Sequence, residues 1–199
     1  MKRSIRAISA LICAVLLLSC FIACEKKAEY PDYVLISVEG YGDILVRLYP
    51  EVAPITVANF KKLVSEKFYD GLIFHRVIEG FMVQGGDPEG TGYGGAKETI
   101  KGEFASNGIQ NTISHSRGVI SMARNGYDMN SASSQFFIVH QTSTYLDGDY
   151  AAFGMVVSGM DVVDAIAAVQ TNKNDKPLSD VVMTSIRFAN SDGSIHEAE

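Results

Sequence analysis

The sequence predicts a mainly β fold, a closed antiparallel barrel capped by two α-helices. Short apolar runs rich in Val, Ile, Leu and Phe recur along the chain with glycine-rich turns between them. Two segments show helical spacing, and they stand far apart. Alternating βα units, which a doubly wound sheet requires, are not found, so the pattern argues for a barrel closed by its own strands.

The elements follow in order. Residues 33–39 and 43–49 are rich in β-formers, and Gly40-Tyr41-Gly42 between them reads as the turn of a hairpin. Pro54 suits a first helical position, and Val57, Phe60 and Val64 recur at helical spacing with Lys61, Lys62 and Glu66 between them, so a helix is expected from there to Asp70-Gly71. Strands are expected over 72–78, 81–84, 118–122, 135–140 and 152–157. A second helix over 159–169 buries Val162, Val163, Ile166 and Val169, and a closing strand runs over 181–188. One domain therefore covers 33–189, followed by a polar tail, 190–199.

What precedes that domain reads as an export signal. Lys2, Arg3 and Arg6 are followed by an uncharged apolar run from Ala7 to Ala23 that ends at Glu25-Lys26-Lys27. The run is close to the length of a membrane span, but cysteine beside small residues at its end favours another outcome. Leu17-Leu18-Ser19-Cys20 and Phe21-Ile22-Ala23-Cys24 both resemble the lipobox of bacterial lipoproteins, in which the cysteine becomes the lipidated first residue. Cys24 is preferred because polar residues follow it at once, with Cys20 as the alternative. Residues 1–24 are then the signal peptide and 25–32 a linker reaching some 25–30 Å. The protein is expected outside the cytoplasm, held to a bacterial membrane by its lipid.

Composition excludes several classes. All three cysteines, Cys13, Cys20 and Cys24, precede the domain, which leaves it no disulfide, thiolate metal site or cysteine nucleophile. The formal net charge is −6, and loss of the signal peptide removes three cations and no anion. That sign disfavours nucleic acid as a partner. It also gives the body no attraction to anionic lipid, so attachment rests on acyl chains.

Several motifs have plain readings. Gly90-Thr91-Gly92-Tyr93-Gly94-Gly95 matches GxGxxG, yet no strand-turn-helix frames it, and glycine turns are the better account. His75, His115, His140 and His196 lack metal-ligand spacing, so no metal is expected. No GxSxG nucleophile elbow occurs. Less ordinary is Arg76 inside the apolar run Phe74-His75-Arg76-Val77-Ile78, close to Phe81-Met82-Val83-Gln84. A guanidinium in such a strand is costly unless it is paired or faces a cavity, which points to an apolar cleft with one arginine at its edge.

These runs carry a resemblance. FHRVI (74–78), GFMVQGGD (80–87), GTGYGG (90–95), SMAR (121–124), SSQFFI (133–138) and LDGDYAAFG (146–154) resemble the cyclophilins, in that family's order and approximate spacing. The resemblance implies an eight-stranded barrel with two helices, peptidyl-prolyl cis-trans isomerase activity and no cofactor. It makes Arg76 the catalytic residue, oriented by Gln84, and places Phe81, Met82, Phe137 and Leu146 around the proline ring. Ala123, Arg124, Asn125 and Gln135 would line the groove for the peptide backbone, with Gly90 at the neighbouring subsite. Tyr145 stands where many members have Trp, and Tyr150 where many have His; both are expected to contact substrate. The segment 125–134 is slightly longer than in those members. The expected partners are proline-containing segments of unfolded or exported proteins, bound by a monomer. A binding or chaperone module with little turnover is the alternative function.

Overall fold

The computed structural model describes residues 30–196. The signal run with Cys20 and Cys24 lies outside the described residues, as do the first part of the linker and the last three residues of the tail. Among the described residues no helix is long and apolar enough to cross a membrane.

Strands β1 (Tyr33–Val38) and β2 (Gly42–Leu48) form the expected hairpin, with Val34 opposite Val46 and Ile36 opposite Ile44, and with Val38 and Leu48 buried too. Helix α1 (Pro54–Ser65) follows and buries Val57, Phe60, Leu63 and Val64. It ends earlier than the spacing predicts. Lys67 takes φ 56°, and the Phe68 amide reaches back to the Leu63 carbonyl at 3.0 Å, which turns the chain and drops Tyr69 into the core against Phe60 and Phe136.

The remaining strands are β3 (Arg76–Ile78), β4 (Met82–Gly85), β5 (Val119–Met122), β6 (Phe136–Val139), β7 (Ala152–Ser158) and β8 (Met183–Ala189), with helix α2 (Met160–Ala167) between β7 and β8. They make one eight-stranded sheet in the order β3-β4-β6-β5-β7-β2-β1-β8, every ladder antiparallel. Val162, Val163 and Ile166 of α2 are buried as expected.

The sheet is an open half-barrel, which corrects the expected closed barrel. The edge strands β3 and β8 share no ladder. They approach only where the chain before β3 meets the start of β8, with Phe74 N donating to Val181 O at 2.9 Å and Met183 N to Leu72 O at 2.8 Å, and a single bridge between Ile73 and Val182. Beyond that point the free edge of β3 is taken by another segment: Val77 N donates to Asp175 O at 2.8 Å, in the loop after α2. Of the strand expected over 72–78, only its last three residues therefore join the sheet.

A single buried carboxylate secures α1. Ala53 offers the helix no side-chain cap. Instead Glu103, buried, accepts from Ile55 N at 3.0 Å, Thr56 N at 2.8 Å and Thr56 Oγ1 at 2.7 Å. A negative charge on the open amides of a helix N-terminus is favourable both as hydrogen-bond acceptor and against the helix dipole. Replacing Glu103 by Ala leaves those donors unpartnered and is expected to lower stability by about 2–3 kcal/mol, with Gln intermediate, read from urea unfolding midpoints.

Candidate active site

Alternation along β3, β4 and β6 separates core from groove. Val77, Val83, Phe136 and Ile138 point into the main core. Their neighbours Arg76, Met82, Gln84 and Phe137 point the other way. The ladders pair Arg76 with Gln84, Gln84 with Phe137, and Phe137 with Ser121, which sets one row of side chains across β3, β4, β6 and β5. Around this row lies a groove of about 560 Å³.

Its apolar wall is a second hydrophobic cluster that includes Met82, Phe137 and Leu146, with Phe81, Ala123 and Tyr150 packed against it. Phe137 is held from two sides. Tyr150 meets it edge-on at 5.9 Å, and His115 stacks on it at 6.0 Å. His115 is itself fixed, its Nδ1 2.8 Å from Asp147 Oδ1 and its Nε2 3.0 Å from Ser121 Oγ. Burial pulls the His115 pKa down against the opposing pull of Asp147. A neutral ring satisfies both contacts, with Nδ1–H donating to the carboxylate and Nε2 accepting from the serine.

Arg76 stands where the apolar wall meets a polar rim. Its Nη1 donates to Gln84 Oε1 at 3.5 Å, and its Nε lies 3.5 Å from Asp175 Oδ2. Gln84 Nε2 donates in turn to Gln135 Oε1 at 2.8 Å, and Gln135 Nε2 to the carbonyls of Gly94 at 2.7 Å and Gly92 at 3.1 Å. The arginine is thus tied through two glutamines to the glycine-rich loop. That loop is wrapped around an internal anion. Asp87, buried, accepts from the amides of Glu89 at 2.8 Å, Thr91 at 3.0 Å, Gly92 at 2.6 Å and Gly94 at 3.3 Å. Amides already committed to a carboxylate are not a phosphate cradle, which agrees with glycine turns as the reading of GxGxxG.

Of the residues the resemblance singles out, Arg76, Phe81, Met82, Gln84, Gly90, Ala123, Arg124, Phe137, Leu146 and Tyr150 line this groove. Asn125 and Gln135 line an adjoining cavity that shares Gln84, Ala123 and Arg124 with it. The Asn125 side chain is occupied locally, its Oδ1 accepting from Tyr127 N and Asp128 N. Arg124 folds back over the Tyr150 ring at 4.9 Å, and its Nε donates to Asp149 O. Tyr145 is 69% exposed and lines neither cavity; its ring leans on Phe81 at 5.8 Å, on the outer side of the wall.

Several groove residues are not among those the resemblance assigns to the site. Asn172, Asn174 and Lys176 arrive from the loop after α2, and Thr91 and Tyr93 from the glycine loop. His75 also lines the groove, buried, with neither ring nitrogen partnered. Burial lowers its pKa, opposed by the charge of Asp87, so it contributes a neutral wall. Among the described residues no group of three or more His, Cys, Asp or Glu side chains could hold a metal ion.

The cyclophilin type peptidyl-prolyl cis-trans isomerase family matches residues 33–188. This chain is a cyclophilin. It is 51% identical over 124 residues to peptidyl-prolyl cis-trans isomerase B of Bacillus subtilis, an alignment covering 62% of this chain and 82% of that protein. It is 39% identical over 164 residues to peptidyl-prolyl cis-trans isomerase-like 2 of Rhizopus delemar, covering 82% of this chain and 30% of that longer protein. A crystal structure of a Cryptosporidium parvum cyclophilin, obtained in the presence of the dipeptide Ala-Pro, superposes with a TM-score of 0.73 at 30% identity, covering 80% of this chain and 99% of that one. The activity that goes with the family is peptidyl-prolyl cis-trans isomerisation.

Asp87 supplies a test of how the groove of this cyclophilin is built. Burial pushes its carboxyl up, and the amides of Glu89, Gly92, Thr91 and Gly94 more than offset that, leaving it below the ordinary aspartate range. A carboxyl with a depressed folded-state pKa stabilises fully above its unfolded value, and that contribution is lost as pH falls through the folded value. Asp87→Asn is expected to cost roughly 1–3 kcal/mol at neutral pH and less in acid, so its unfolding curve should converge on wild type as pH is lowered. A constant difference across that range would mean that the charge of Asp87 is not what holds the loop.

Proposed function

We propose that this cyclophilin rotates X–Pro bonds of exported polypeptides with Arg76 as the catalytic donor. One observation carries the reading: a guanidinium held by Gln84 lines the same groove as an apolar wall of Phe81, Met82, Phe137 and Leu146. The structure obtained with Ala-Pro supports a proline-containing peptide as the occupant.

The barrier is loss of amide resonance, about 18–20 kcal/mol, and no bond is made or broken. As the bond twists, the prolyl nitrogen loses conjugation and gains a lone pair. A fixed cationic donor then hydrogen-bonds it more strongly than in the planar ground state, so the interaction favours the transition state selectively. Arginine stays charged at any relevant pH, and its planar fork can reach the proline carbonyl as well as the nitrogen. The apolar wall holds the ring while the preceding carbonyl turns, and it excludes water that would compete for the donor. Ala123, Arg124 and Gly90 flank the wall where the chain on either side of proline would lie.

The same reading puts the protein at a membrane surface. The basic start, the uncharged run and the Phe21-Ile22-Ala23-Cys24 sequence support lipidation at Cys24, with Cys20 as the alternative, and clients met after export.

Two outcomes follow. Arg76→Ala is expected to remain folded and to lose most of kcat/KM on an Ala-Pro peptide, a loss of up to several kcal/mol in transition-state stabilisation. A folded variant with near-normal turnover would remove Arg76 from the mechanism. Labelling with a radioactive fatty acid is expected to mark the wild-type protein and not Cys24→Ala. Retention of label in Cys24→Ala with loss in Cys20→Ala would move the anchor to Cys20.

A further inference from the structure

The geometry points to Asp175 as a positioning residue for Arg76, a role that rests on the reading of Arg76 as the catalytic donor. Asp175 comes from the loop between α2 and β8, and its Oδ2 lies 3.5 Å from Arg76 Nε. Gln84 holds the same guanidinium at Nη1. Two holds on different nitrogens define a plane, where one would leave the group free to pivot. They leave Nη2 without a protein partner among the described residues, on a side chain that lines the groove.

The backbone at Asp175 is unusual in a way that needs a reason. Its φ is 62°, one of two positive values at non-glycine positions among the described residues. Glycine adopts that conformation without strain, while an aspartate carries a penalty there. The loop nevertheless imposes it. Val77 N donates to Asp175 O at 2.8 Å, Asp175 N to Asn172 O at 3.0 Å, and Asn172 Oδ1 accepts from Asn174 N at 2.8 Å and Lys176 N at 3.2 Å. The carboxylate is therefore presented from a braced loop fastened to β3, the strand that bears Arg76.

Folding stability does not account for it. The two side chains are 41% and 43% exposed, and ion pairs so open to solvent contribute little to stability. What the contact does supply is direction, and direction matters where the donor must meet a lone pair that exists only in the twisted state.

The experiment compares Asp175→Gly, Asp175→Asn and Arg76→Ala on one Ala-Pro peptide, with thermal unfolding and the Arg76 Nε–Hε NMR resonance recorded for each variant that keeps the arginine. Glycine fits the backbone and removes the hold. Asp175→Gly is expected to be as stable as wild type or more so, with kcat lowered roughly three- to tenfold, KM changed less than about twofold, and the Nε–Hε signal shifted or broadened. Asparagine tolerates the same φ and keeps an acceptor, so Asp175→Asn should restore most of kcat. Wild-type kcat and an unmoved resonance in Asp175→Gly would overturn the proposal, as would a loss of kcat that only follows a loss of stability. Arg76→Ala separates the two levels. If it is inactive while Asp175→Gly is normal, only the positioning role falls; if it turns over normally, the catalytic assignment of Arg76 falls and takes this role with it.

Discussion

The groove exists because the strands that build it are two-sided. Residues alternate across β4 and β6, so each side chain committed to the core forces its neighbour to the opposite face. Phe136 and Ile138 anchor β6 in the main core; Phe137 between them can only face the groove. The same holds for Gln84 beside Val83 and for Arg76 beside Val77. A slip of one residue in β3 would turn Arg76 into the core, and one in β6 would send Phe137 into the core and Phe136 out into the groove. Register is therefore strongly enforced by burial, and the geometry of the groove comes with it.

Onto that frame the loops are fastened by polar groups inside the protein. Asp87 gathers the glycine loop, Glu103 caps α1, and His115 between Asp147 and Ser121 backs Phe137. Each buried charge or ring is satisfied by several fixed partners, the condition under which burying polar groups is tolerable. The groove itself is different in kind. Arg76 is held by long contacts at 3.5 Å, and His75 beside it has no partner for either nitrogen. Among the described residues, the unpartnered buried ring nitrogens are those that line this groove.

The openness of the half-barrel belongs to the same economy. A closed β3–β8 ladder would have covered the outer edge of β3 with backbone. Because the loop after α2 takes that edge instead, Asn172, Asn174, Asp175 and Lys176 are brought beside Arg76. Irregular structure carries side chains to a site in directions a regular ladder does not permit, which is why functional groups so often come from loops.

Local pattern sufficed for much of this. The Gly40-Tyr41-Gly42 hairpin, the Pro54 start of α1, the apolar face of α2 and the strands around Phe137 follow from periodicity and turn residues, whose causes lie within a few positions of one another. The Phe74–Gly154 motifs were specific enough to identify the family and most of the groove. The early end of α1, the failure of the sheet to close, the exposed place of Tyr145 and the approach of Asp175 to Arg76 were not legible. Each depends on which distant segment competes for a given hydrogen bond or a given volume. Leu63 and Tyr69 against the core, Val77 with Asp175, and Phe81 with Tyr145 are such choices. Short-range preferences fix the period of a strand or helix; only packing of the whole chain decides what meets its edge.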